Sequence, residues 1–281
     1  MNRIYPRYPE GRMKAFTLSY DDGNDCDAIL VDMMRKYGVK GTFNINSAIC
    51  PAEHQPHGTH PWSRMTMEEC LQVYGDDMEI AVHGANHPFW NQLPTVQAMQ
   101  DILEDRRALE QATGRIIRGA ASPYGKSNDD VQELLRLSGL IYCRTVRSSH
   151  SVQLTTSKDW LQLEPSCHHG DPELMTLAES FLDETKPYMQ LFYVWGHSYE
   201  FMREDNWDVM ETLLKTVSGK DYIWYATNIE IVEYLKAADQ LITNVDCTMV
   251  RNPTDKELWV EFSPGKKIVR IPAGATVSLI D

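Results

Sequence analysis

The sequence predicts an α/β fold: a distorted (β/α) barrel of about seven parallel strands followed by a small all-β appendage. Three observations lead there. Short apolar runs alternate with helical patterns of about 10–15 residues, the mark of βα units and a parallel sheet. Polar, chemistry-bearing groups follow directly on several of the runs, at the strand ends where barrel folds carry their sites. Beyond Ala238 the helical spacing gives way to short runs punctuated by Pro253, Pro264-Gly265 and Pro272-Ala273-Gly274. The expected division is a barrel over 1–240 and a β appendage packed on it over 241–281. A chain of 281 residues suits one such barrel, because single α/β barrels often reach about 250 residues.

The elements follow in order. Met13 to Tyr20 reads as a strand and runs into the turn signal Asp21-Asp22-Gly23. Ile29, Leu30, Met33 and Met34 have helical spacing, and Gly38 stops that helix. Val39 to Ile45 is a second strand, and a loop follows through Arg64. Thr66 opens a helix with Glu68 and Glu69 in its first turn. Met78 to Val82 is a third strand, ending at His83. Thr95 to Thr113 is a long amphipathic helix closed by Gly114. Strands over Ile116–Ala120 and Ile141–Val146 flank a helix over Asp129–Leu137, with a further short strand expected at Trp160–Leu163. Helices over Glu173–Lys186, Asp205–Val217 and Ile229–Ala238 alternate with strands over Gln190–Trp195 and Tyr222–Tyr225. The appendage reads as four strands: Asp246–Arg251, Glu257–Phe262, Lys267–Ile271 and Ala275–Ile280.

Composition removes several classes of function. Hydrophobic residues make up 42% and charged residues 24%, as in an ordinary folded chain. A net charge of −13 repels phosphate backbones and anionic lipid, so neither nucleic acid nor membrane is an expected partner. No apolar run reaches the roughly 18 residues that span a bilayer. The N-terminal residues contain no apolar signal segment, and the six cysteines form no CxxC pair. Reduced thiols and a cytoplasmic location are the expectation.

Three features fall at expected strand ends: Asp21-Asp22, His83…His87 and His197. Asp-Asp-Gly alone is usually a turn. In an HxxxH, positions i and i+4 share a face if the segment is helical, so both imidazoles meet one cation. Pro88 favours a loop instead. His54, His57 and His60 read as a groove wall, and Cys167-His168-His169-Gly170-Asp171 as a polar connecting loop.

Taken in order, Ser19-Tyr20-Asp21-Asp22-Gly23, His83-Gly84-Ala85-Asn86-His87, Ala121-Ser122-Pro123-Tyr124 and Trp195-Gly196-His197 resemble the motifs of the polysaccharide deacetylases, carbohydrate esterase family 4. The resemblance spans about residues 13–235 and marks a divergent subfamily. It implies a metal-dependent hydrolase that removes an acetyl group, as amide or ester, from a sugar or oligosaccharide. By resemblance Asp22, His83 and His87 hold one divalent metal, zinc first and cobalt or nickel next. The metal lowers the pKa of a coordinated water, the nucleophile, and polarises the carbonyl. Asp21 is then the base, His197 the acid, and the Tyr124 N–H an oxyanion donor. The family's third-motif arginine is Ala121 here, so Arg118 or Arg144 is expected to support Asp21. For the acid histidine, Asp159-Trp160 or Glu200 is the expected partner. Trp90, Trp195 and Tyr199 are candidate substrate walls. Two rival readings keep the same residues: an amidohydrolase of small linear or cyclic amides, and a catalytically inactive carbohydrate-binding protein.

Overall fold

A computed structural model describes residues 2–55, 57–154 and 159–280. The chain order is β1 (Arg3–Arg7), β2 (Lys14–Asp21), α1 (Cys26–Lys36), β3 (Gly41–Ile45), α2 (Met67–Tyr74) and β4 (Glu79–Val82). It continues with α3 (Thr95–Thr113), β5 (Gly119–Ala121), α4 (Asp129–Leu137), β6 (Tyr142–Arg144), β7 (Cys167–His168), α5 (Leu174–Leu182) and β8 (Gln190–Gly196). Next come α6 (Ser198–Glu204), α7 (Trp207–Val217), β9 (Ile223–Tyr225) and α8 (Asn228–Ala238). The C-terminal strands are β10 (Ile242–Thr243), β11 (Met249–Arg251), β12 (Leu258–Ser263), β13 (Lys267–Ile271) and β14 (Thr276–Ser278).

Parallel strands form one curled sheet in the order β6-β5-β4-β3-β2-β8-β7. One edge of β2 is shared: Lys14–Phe16 pair with β9 and Leu18–Asp21 with β3. At the far side Leu163 bridges Arg144 in parallel, and Leu163 N–H bonds Cys143 C=O at 2.9 Å. The segment that leads into β7 thereby joins the two edges of the curl, which is the distorted barrel expected. Local signals account for the helix ends. Thr66 and Glu69 form a reciprocal capping box at α2, and Gly114 ends α3 at φ +67°.

Some elements differ from expectation. The Cys167–Asp171 stretch is not a loop throughout, since Cys167 and His168 pair with Val194 and Trp195 as β7. Its polarity suits a barrel edge, where one face looks into a wet mouth. Trp160–Gln162 is a single 3-10 turn rather than a strand. The helix expected from Asp205 begins at Trp207, and a separate helix, α6, starts directly after His197. The N-terminal strand β1 pairs antiparallel with β12, joining β13 in one three-stranded sheet, while β10, β11 and β14 form another. These sheets share a core with α8 and the strand starts, through Tyr8, Ala15, Leu191, Tyr234, Val260 and Ile271. The appendage therefore buttresses the end of the barrel away from the strand C-termini.

The two-residue period of a strand splits β2 into two faces. Phe16, Leu18 and Tyr20 lie in the apolar core that also takes in Leu30 and Met34 of α1. Thr17, Ser19 and Asp21 point inward to polar partners: Thr17 Oγ1 donates to Asn228 Oδ1 at 3.0 Å, and Asn44 Nδ2 donates to Ser19 and Asp21. Deeper inside, Glu79 accepts from Thr42 Oγ1 and the Ile229 N–H at 2.8 Å each and meets the Tyr142 hydroxyl at 2.7 Å. Burial outweighs these donors and pushes the Glu79 carboxyl up to about 7.

That raised value makes stability depend on pH. Folded Glu79 keeps its proton up to about 7. The unfolded side chain loses it near 4.3. Raising the pH through this window therefore weakens the wild type relative to Glu79→Gln, which carries no charge. Melting curves from pH 5 to pH 8 should show the variant gaining on the wild type as pH rises, and a pH-independent difference would refute the assignment.

Candidate metal centre and active site

The groups at strand ends converge because parallel strands deliver them to one mouth. Asp21 ends β2, His83 follows β4, Arg144 ends β6 and His197 follows β8. Asp22 leaves the strand at φ +83°. His87 and Tyr124 also adopt positive φ, +51° and +56°. Such strained residues gather where a site holds them in place.

Asp22, His83 and His87 bring ligand atoms within 4.8 Å of one another. The His83 and His87 Nε2 atoms are 3.2 Å apart, and His87 Nε2 is 3.9 Å from Asp22 Oδ1. The segment is an irregular turn, not a helix, and α3 holds it. Asp105 accepts from the His83 N–H at 2.9 Å and the Ser47 N–H at 2.8 Å. Asp101, one helical turn earlier, accepts from the Asn86 N–H at 3.0 Å and Trp90 Nε1 at 2.9 Å. Gly84 is required there, since a Cβ would lie 2.8 Å from Asp101.

The donor chemistry fits a divalent ion. His83 Nδ1 meets the Ala121 carbonyl at 2.9 Å, so that nitrogen carries the proton and Nε2 offers a lone pair. Burial lowers His83, and burial together with His83 lowers His87 to about 4, so both rings are neutral and able to coordinate a cation. His83 Nε2 and the Asp22 carboxylate offer lone pairs beside His87 Nε2, and a cation shared by the three would satisfy them together. One carboxylate and two imidazoles are the set expected of a hydrolytic zinc site.

Asp21 stands beside this triad, its Oδ2 3.7 Å from His83 Nε2. It is buried and forms an ion pair with the fully buried Arg144, and Asn44 Nδ2 donates to its other oxygen at 2.8 Å. Burial alone would raise its pKa; Arg144, His83 and His197 outweigh that and hold it at about 2. Arg144 therefore occupies the place left by Ala121, and its guanidinium lies 4.5 Å from the Trp195 ring. Arg118 does not reach the site. It precedes β5, at the opposite end of the barrel, and pairs with Glu233 at 3.3 Å. His197 Nε2 lies 3.9 Å from both Asp21 and Asp22, and its Nδ1 3.5 Å from Glu200 Oε1. Burial opposes a charge on His197, but Glu200, Asp21 and Asp22 raise its pKa. Asp159 instead caps its own turn, accepting from the Leu161 N–H at 3.2 Å.

The Tyr124 N–H stays outside its turn, whose bonds run from Gly125 to Ser122 and from Lys126 to Pro123. The Tyr124 ring stacks on Phe89 at 3.8 Å and meets His87 edge-on at 4.4 Å. On the other side Tyr199 stacks between His197 and Trp62 at 5.1 Å each, and His60 covers Trp62 at 4.6 Å. Trp90 is not a wall; it is buried on Asp101. Sequence reasoning missed Trp62, Phe89 and Arg64. The Arg64 guanidinium donates to the Asp22 carbonyl at 2.6 Å and lies 3.3 Å from its carboxylate, bracing the strained residue. His54 and His57 are tied to Glu69 and Asp25.

Removing one member of a buried ion pair strands the other. Arg144→Met should cost about 3–5 kcal/mol in urea denaturation, and adding Asp21→Asn should return most of it. Additive losses in the double variant would contradict a direct pairing.

Residues 9–143 match the family model described as polysaccharide deacetylase. A search of curated protein sequences finds no significant match. Among solved structures, a protein assigned as a polysaccharide deacetylase from Pseudomonas aeruginosa PAO1 is 13% identical, with a TM-score of 0.63 over 82% of this chain and 93% of that one. One so assigned from Mycobacterium smegmatis is 17% identical, with a TM-score of 0.61 over 84% of this chain and 94% of that one. The peptidoglycan deacetylase PdaC from Bacillus subtilis is 16% identical, with a TM-score of 0.50 over 81% and 95%. At these identities the structures speak for the fold, and the sequence match makes residues 9–143, just under half of the chain, similar to the polysaccharide deacetylase family.

Proposed function

We propose that this protein is a metal-dependent deacetylase that hydrolyses an acetyl amide or ester on a sugar or oligosaccharide. The observation that carries the reading is the convergence of Asp22, His83 and His87 with Asp21 and His197 beside them at one barrel mouth. A divalent ion held by the triad, zinc by its imidazole-rich donor set, supplies Lewis acidity to the acetyl carbonyl and to the attacking water.

The chain's own groups divide the remaining work. Asp21, kept ionised by Arg144, accepts the proton that water gives up as it attacks. The Tyr124 N–H donates to the oxygen that becomes negative in the tetrahedral adduct. His197 delivers a proton from Nε2 to the departing nitrogen or alkoxide, with Glu200 behind its Nδ1. The mouth lies between two aromatic rims, Phe89 with Tyr124 and Trp62 with Tyr199, which suits the apolar faces of a pyranose. The acidic surface disfavours polyanionic substrates.

Acetate release from acetylated oligosaccharides should cease on exhaustive chelation and return with zinc or cobalt. Activity indifferent to chelation would eliminate the metal reading. Asp21→Asn should retain its ion by elemental analysis while turnover falls by about 100-fold or more. An Asp21→Asn protein with normal turnover would remove Asp21 from the base role.

A further inference from the structure

Next to the proposed centre lies a second group with the look of a metal site: His168, His169 and Glu200, whose ligand atoms also fall within 4.8 Å. We propose that this cluster binds no ion and that His168 and His169 are positioning residues, which pin Glu200 so that its free oxygen faces the proton donor His197. The inference rests on the reading of His197 given above.

Proton placement separates the two possibilities. A ligating imidazole nitrogen must offer a lone pair, so its other nitrogen carries the hydrogen. His168 Nδ1 accepts the Gly170 N–H at 3.0 Å, which puts the proton of the neutral ring on Nε2. That nitrogen is 2.9 Å from Glu200 Oε2, a separation at which a lone pair would repel the carboxylate. His168 therefore presents a hydrogen to Glu200 and is closed to an ion. His169 Nε2 lies 3.2 Å from the same oxygen. The ring is buried between Tyr20 and Phe201, with centroids at 5.7 and 4.0 Å. It fits only because residue 196 is glycine, where a Cβ would fall 2.0 Å from His169 Nδ1.

The clamp has a direction. Glu200 is the third residue of α6, and the His197 N–H reaches its Oε2 at 3.4 Å. With Oε2 occupied, Oε1 is left 3.5 Å from His197 Nδ1 and 3.7 Å from Arg203. His197 Nδ1 is buried with no hydrogen-bond partner among the described residues. Glu200 thus selects the ring orientation in which Nε2 faces Asp21 and Asp22.

The test compares His168→Leu, which removes the donor, with His168→Gln, which keeps an N–H. Zinc by elemental analysis should be about one equivalent per chain in wild type and both variants. Turnover should fall about ten-fold or more in His168→Leu with KM nearly unchanged, and recover in His168→Gln. Imidazole nitrogen NMR shifts should show one His197 tautomer in wild type and a mixture in His168→Leu. Glu200→Gln serves as a second variant if His168→Leu folds poorly. A second zinc equivalent lost with His168, or His197 signals unchanged in both His168→Leu and Glu200→Gln, would overturn the inference. The zinc and NMR readings stand even if no acetylated sugar proves to be a substrate, so the clamp and the proposed activity fail separately.

Discussion

Two carboxylates adjacent in the chain share the mouth of the barrel, and like charges so close cannot both remain ionised there without separate compensation. The fold gives each its own arginine, while His197 Nε2 lies 3.9 Å from both. Asp21 continues the inward face of β2 and meets Arg144, which arrives from the far side of the sheet on β6. Asp22 turns out at positive φ and meets Arg64, His87 and His83. Arg64 comes from the end of the long loop, where Met65 N–H bonds Gly23 C=O at 2.9 Å and fastens that loop to the same turn. The sheet curl brings Arg144 to one acid, and the loop anchor brings Arg64 to the other.

The interior below the mouth is polar rather than oily. Asn228 at the start of α8 bonds Thr17 and Tyr193, Thr42 links the Asn228 N–H to Glu79 and so to Tyr142, and Asn44 bonds Ser19. Buried polar groups of this kind are tolerated only when partnered, and satisfied networks fix their members in place. Here they hold the strand whose end carries both acids. The apolar faces lie outside, under the helices, where Phe16, Leu18 and Tyr20 pack. The appendage adds a separate core at the opposite end, through Tyr8 and Val260, and it contributes none of the described site side chains.

Much of this was legible in the sequence. Strand and helix periods gave the βα order, and Thr66 with Glu69 and Gly114 marked helix ends that the structure keeps. Asp22, His83 and His87 drew notice because two of them follow strand ends and their order resembles a family's motifs, and the structure brings the three together. What was not legible depends on distance in sequence. Arg118 and Arg144 look alike on paper, and only strand direction separates the one at a strand's start from the one at its end. Trp90 resembles a surface aromatic until Asp101 claims its indole N–H. Asp101 and Asp105 could have been suspected as acids on the buried face of an amphipathic helix. His168 and His169 read as loop because a two-residue strand leaves no periodicity to detect. β1 escaped notice because its partner lies some 250 residues away, with Arg3 opposite Ser263.

The central claim is that Asp22, His83 and His87 share one cation. The most direct measurement is a crystal structure of zinc-loaded protein with anomalous data collected on both sides of the zinc edge. The account predicts a single strong peak about 2.0–2.2 Å from Asp22 oxygen and from both Nε2 atoms. A peak elsewhere with that triad empty, or none at saturating zinc, would contradict it.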